Sequence, residues 1–308
     1  MLKFVLKKAV WLIPILVFTT FIVFMVMYHR VDTFGWVWFG GSFEAIHQWR
    51  EMHGLNDPVL VQFANYMIGI FRGDFGISFT RNVNIADEIM GRLPYTLRLG
   101  LVSLGASLVL ALPIGALAAA KKKAWLDNIV KYGALIGVSI PVFALGLLLL
   151  LVFSLRLDWL PSSGASHWSS IILPSATLGI GMMGVMMHSI RTAILETLQQ
   201  NYTRAARAKG LSRGCVIRKC IMSNALVPIL KTLRAHLGGF VVSLIIVEIV
   251  FAWPGIGRLL IQGILARDYP MTTGVVFMFV LFYAVINIVL DIVMGVVDVR
   301  TRGELAVL

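Results

Sequence analysis

Glu248 is the one charged residue in the run from Ala235 to Trp253. An acid placed there is either a functional group on a solute path or a partner for a neighbouring helix or for headgroup water. Asn287 and Asp291 stand four residues apart, on one face of a helix, and read as contacts between helices. Met182, Met183, Met186 and Met187 cluster with His188 at helical spacing. Thioether and imidazole suit soft metals, but methionine is also ordinary filler in apolar helices; packing is the reading adopted and no metal site is expected. Cys215 and Cys220 lack the Cys/His spacing of a metal site. Lys231-Thr232 is the only lysine followed by serine or threonine, and no glycine precedes it at the spacing of a phosphate loop. A serine nucleophile needs a nearby histidine base. Gly137-Val138-Ser139 has no following glycine, and the apolar runs 132–155 and 269–290 hold no histidine, so a membrane serine protease is excluded.

The elements that must hold these residues are apolar. Hydrophobic residues make up 58% of the 308 and charged residues 14%. A soluble domain averages about 45–50% and about 25%. The apolar residues gather in runs of about 20, the length that crosses a bilayer core as helix. Six such runs are expected: Ala9 to Tyr28, Leu99 to Ala120, Tyr132 to Leu155, Ser169 to Met187, Ala235 to Trp253 and Tyr269 to Leu290. The fourth is softened by Gly179, Gly181 and Gly184. The fold class is all-α transmembrane, and a retained first span is expected in place of a cleaved signal peptide.

Net charge is +12. The positive residues flank apolar runs, so the positive-inside rule explains them and nucleic acid is not an expected partner. The N-terminus, residues 121–131, residues 191–219 and the tail hold sixteen lysines and arginines, against three (Arg156, Arg258 and Arg267) in the short loops after the third and fifth runs. Both termini are therefore expected in the cytoplasm, with 29–95 outside. That external segment carries seven acids and five arginines between Arg30 and Arg92, together with aromatics and glycine turns, and is expected to fold. The division that follows is 1–28 for the N-terminus and first span, 29–95 external, 96–300 for the core, and 301–308 for the tail.

Within the core, 194–227 forms a cytoplasmic loop expected as helix, turn, helix. Glu196 to Lys209 contains good helix formers, with Ala205, Ala206 and Ala208 close together beside Tyr202, Arg204 and Arg207. Gly210 suits a left-handed position after a helix end. Ser212 can cap a second helix, which Pro228 would bound. Small side chains let a groove on another protein approach the backbone; the competing reading is an amphipathic helix lying on anionic lipid.

Asn201-Tyr202-Thr203-Arg204-Ala205-Ala206-Arg207-Ala208-Lys209-Gly210-Leu211-Ser212, with Ser223-Asn224-Ala225-Leu226-Val227-Pro228, resembles the coupling loop of ABC importer permeases of the peptide/nickel (dipeptide and oligopeptide) branch. Leu55-Asn56-Asp57-Pro58, Arg72-Gly73-Asp74-Phe75-Gly76-Ile77-Ser78-Phe79, Arg92-Leu93-Pro94-Tyr95-Thr96-Leu97, Phe251-Ala252-Trp253-Pro254-Gly255-Ile256-Gly257-Arg258 and Arg267-Asp268-Tyr269-Pro270 resemble further segments of it. Three places depart from the pattern: Val31-Asp32-Thr33 replaces a Gly-Asp-Pro turn, His188 an arginine, and Asp298-Val299-Arg300 an Asp-Pro-Arg. The resemblance implies a six-span, non-catalytic permease subunit in a bacterial or archaeal plasma membrane. It implies half of a path for di- or oligopeptides, a nickel chelate or glutathione. Tyr202, Arg204, Ala205, Ala206, Arg207 and Gly210 would couple it to ATP-binding subunits, and no cofactor is expected on this chain. Implied partners are a second homologous permease, two ATP-binding subunits and an extracytoplasmic solute-binding protein. An ion-coupled secondary transporter is the competing class; it would need buried acids near the midplane, and Glu248 and Asp291 both lie toward span ends.

Overall fold

The computed structural model describes residues 2–28, 40, 42–121, 123–208, 210 and 222–297; the side chains of residues 2–5, 9, 138, 202, 204, 206, 207 and 222–225 are outside that description. The expected cap at Ser212, both cysteines and the 301–308 tail thus lie outside the described residues. The helices are α1 (Leu2–Tyr28), α2 (Phe43–Met52), α3 (Val59–Phe71), α4 (Ile85–Lys121), α5 (Ala124–Ser139), α6 (Val142–Leu149), α7 (Ile172–Gln199), α8 (Asn201–Ala208), α9 (Met222–Val250), α10 (Ile256–Leu265) and α11 (Tyr269–Val297). Leu150–Arg156 continues α6 as π-helix. Among the described residues extended pairing is confined to a bridge between Ile77 and Asn84.

Among the described residues five helices are long and apolar enough to cross a membrane, or six spans if a bent pair is taken as one. That pair corrects the third expected run. Its two halves, Ala124–Gly137 and Val142–Arg156, meet at 104°. Pro141 has no N–H to continue the helix, and its ring drives the preceding residue out of the helical region. Ile140 is accordingly extended, at φ −87° and ψ 120°.

The chain divides into two compact units. One comprises Met1–Val5, Thr96–Trp253 and Ile286–Leu308. Its core joins Ala111, Ala118, Met186, Ile190, Ile194 and Val247. Here α5 and α7 approach through glycines. A Cβ on Gly184 would lie 2.3 Å from the Gly133 carbonyl oxygen, and one on Gly137 would lie 2.8 Å from that of Gly181. Small residues permit such backbone contact, which drives helix association where apolar burial cannot. The glycines that soften the fourth run are thus its packing surface. Polar contacts add to it: Arg191 pairs with Asp127 at 2.8 Å, and Ser107 donates to the Gly179 carbonyl at 3.0 Å.

The other unit comprises Leu6–Tyr95 and Pro254–Val285. Phe24 packs edge-on against Phe63 (5.3 Å between centroids) and Tyr269 (5.1 Å). Asp268 is buried there. Its carboxylate accepts from the hydroxyls of Ser78 and Thr80, the latter at 2.7 Å, and from the Thr80 and Met271 amides at 3.2 Å. A buried carboxylate is tolerated when its lone pairs are met this way. The 72–79 and 267–270 segments, far apart in sequence, are joined by this residue.

Candidate functional site

The cytoplasmic-loop candidates fall on α8. The sequence pattern suggests one helix from Glu196 to Lys209, but Gln200 interrupts it in an extended conformation, φ −67° and ψ 148°. The physical reason lies in the last carbonyls of α7, which have no helical donor of their own. The Thr197 carbonyl takes the Gln200 amide at 3.3 Å and the Thr203 hydroxyl at 2.8 Å. Thr203 is fully buried and so fastens α8 to the end of α7; sequence reasoning missed it, because its partner is set by the break. Ala205 and Ala208 are exposed. Gly210 has φ +81°, and a Cβ there would meet no atom of the described residues within 4 Å. The left-handed φ is what calls for glycine there. Tyr202, Arg204, Ala206 and Arg207 belong to the α8 backbone, their side chains outside the described set.

Pro228 does not bound a helix. It lies inside α9, and its carbonyl accepts from the Thr232 hydroxyl at 3.0 Å.

Glu248 is completely enclosed, and its carboxyl accepts from the Thr96 hydroxyl at 2.6 Å. The contact joins α9 to α4. Asp291, also fully enclosed, pairs with Arg234, joining α11 to α9. Arg234 was not singled out from the sequence because it stands just before an apolar run. Met182, Met186 and Met187 are buried in the core of their unit, with Met183 packed against it. Among the described residues no three His, Cys, Asp or Glu side chains are arranged to hold a metal ion.

The bend at Ile140–Pro141 opens a groove of about 330 Å³ bordered by α5, α6, α7 and α9. Thr177 and Gly181 border it from α7, and His236, Gly239 and Ser243 from α9.

Residues 111–303 match the family model described as binding-protein-dependent transport system inner membrane component, and residues 1–100 match the model of that component's N-terminal region. The chain belongs to this family. It is a permease subunit of an ABC importer, a multi-pass inner membrane component. The glutathione transport system permease protein GsiC of Escherichia coli (strain K12) is 35% identical over 304 residues, covering 98% of this chain and 99% of that protein. The protein of the same name from Salmonella typhi is 36% identical over the same span and coverage. In fold, the permease resembles a solved inward-facing form of the MetNI methionine ABC transporter, with TM-score 0.57 and 19% identity over 68% of this chain and 96% of that one. A second inward-facing form gives TM-score 0.53 at 20% identity.

Proposed function

We propose that this permease forms half of the path by which an ATP-driven importer takes up short peptides, glutathione among them. The observation that carries the reading is the full-length likeness to a glutathione permease. A second, homologous permease completes the path, and an extracytoplasmic binding protein delivers the solute. Two ATP-binding subunits supply the energy, since no phosphate loop occurs in the sequence. They dock on α8, where Tyr202, Arg204, Ala205, Ala206 and Arg207 form the contact and Gly210 sets the exit direction. Both termini are cytoplasmic and 29–95 is external. Glu248 acts at the outer end of α9 as part of a gate that α4 and α9 form together.

The test is uptake into vesicles holding the purified complex. ATP-dependent accumulation of labelled glutathione or tripeptides, with ATP-binding subunits copurifying, supports the reading. Uptake that follows an ion gradient with no ATP requirement overturns it.

A further inference from the structure

Two polar stripes run along the permease unit that contains α7 and α9. On α9, Thr232, His236 and Ser243, with Gly239 between them, recur at helical spacing; on α7, Thr177, Ser189, Thr192 and Glu196 do the same, with Gly181 and the apolar Val185 between Thr177 and Ser189. The stripes border two grooves. The first is the one opened by the Pro141 bend. The second, about 340 Å³, runs from His188 and Glu196 to Thr232 and His236. Val185 and His236 border both, so the grooves meet at His236.

His236 lies well inside the candidate span Leu226–Val250. It is exposed on the chain's surface and makes no hydrogen bond or ion pair with any described residue. An imidazole facing hydrocarbon is costly, and polar side chains at that depth face a water-filled path or another protein. The bent pair adds an acceptor. Pro141 cannot donate to the Gly137 carbonyl, and Gly137 borders the first groove. Ser243 adds a hydroxyl. Among the described residues bordering that groove, His236 is the sole ionisable side chain.

We infer that the two grooves form one solute track and that His236 reads a carboxylate on the passing solute. The inference rests on the peptide reading above and names the chemistry of its path. The imidazole N–H meets a terminal carboxylate, while Gly137 and Ser243 offer partners to peptide N–H and C=O groups. The Ser189 and Thr232 hydroxyls, 2.6 Å apart, continue the track toward the Glu196 end.

The experiment uses the assembled importer in vesicles, with trialanine and trialanine amide as solutes. Each variant is expressed relative to wild type for each solute, which cancels any preference of the binding protein. His236→Glu places like charge against the carboxylate. Trialanine uptake is expected to fall about tenfold or more while the amide changes less than about threefold, with ATP-binding subunits retained. Ser243→Asp, two turns further along the same stripe, is expected to discriminate in the same direction and serves if His236→Glu does not assemble. Equal loss of both solutes, or no change in either, overturns the inference and makes His236 a contact with the second permease. Wild-type vesicles that accumulate neither peptide overturn the peptide reading and this inference together.

Discussion

The Thr96 hydroxyl donates to the Glu248 carboxyl at 2.6 Å, with Thr96 nearly and Glu248 fully enclosed. The bond ties α4 to α9, and its two ends fail differently. Glu248→Leu leaves the Thr96 hydroxyl without this acceptor, a loss of about 1–3 kcal/mol for a buried polar group. Glu248→Gln keeps an acceptor oxygen in place. The yield of folded complex is therefore expected to fall for Leu and to hold for Gln. If the carboxyl belongs to a gate, Gln lowers uptake per folded complex more than it lowers yield. Equal uptake per complex in Glu248→Gln confines the residue to helix packing.

The α5–α7 contact makes a sharper demand. Gly184 has no room for a methyl group, because its Cβ would sit 2.3 Å from a backbone oxygen that cannot swing aside. Gly184→Ala forces the two helices apart, at a cost of about 1–3 kcal/mol or more. At Gly105 a Cβ meets nothing within 4 Å, so Gly105→Ala is expected to leave stability nearly unchanged. Thermal unfolding of the detergent-solubilised complex compares them. A Gly184→Ala variant as stable as wild type would show that α5 and α7 slide apart freely.

Apolar runs and flanking charges made the spans legible, because a bilayer imposes one length and one charge asymmetry on any sequence. The left-handed Gly210 was legible from its place after a run of alanines. Pro141 stands in the sequence too, but an apolar run of spanning length does not by itself show where a helix bends. The Arg234–Asp291 pair and the Ser78–Asp268 bond were beyond sequence reasoning. Each depends on which helices or loops become neighbours, and nothing local to either partner states that. The two grooves were hidden for the same reason: each polar stripe is weak alone, and only packing sets them side by side.

The methionine cluster is expected to be replaceable. Met186 and Met187 are fully buried and border apolar neighbours. Changing Met183, Met186 and Met187 together to leucine roughly conserves volume, and such swaps usually cost less than about 1.5 kcal/mol each. Uptake is expected to change modestly. Selective loss of metal-ion uptake, with peptide uptake intact, would restore the metal reading.

Topology is testable at Asn65, an exposed residue on α3. In a background lacking Cys215 and Cys220, Asn65→Cys is expected to react with a membrane-impermeant maleimide added from outside. Labelling from the cytoplasmic side alone would invert the proposed orientation.

The last prediction concerns how energy enters. With no phosphate loop in the sequence, ATP-driven movement has to arrive through a protein contact. α8 is suited to receive it. It is short, it is fastened to α7 through the buried Thr203, and it is followed by a glycine with left-handed φ. On the proposed reading a push on α8 would pass to α7, which borders the groove at the Pro141 bend. Gly210→Val puts a β-branched residue in the left-handed region, at about 1–2 kcal/mol, and misdirects the exit. Ala206→Glu introduces a charge that a docking cleft would have to desolvate, costing on the order of a few kcal/mol. Both changes lie outside the spans, so membrane insertion is expected to persist. Ala206→Glu is expected to yield an inserted permease that loses its ATP-binding subunits, or keeps them without uptake. A helix resting on lipid behaves differently: it tolerates Ala206→Glu and responds to neutralising Arg204 and Arg207 together. Copurification of the ATP-binding subunits with each variant, measured beside vesicle uptake, separates the two. Normal retention with normal uptake in Ala206→Glu would remove α8 from the coupling route.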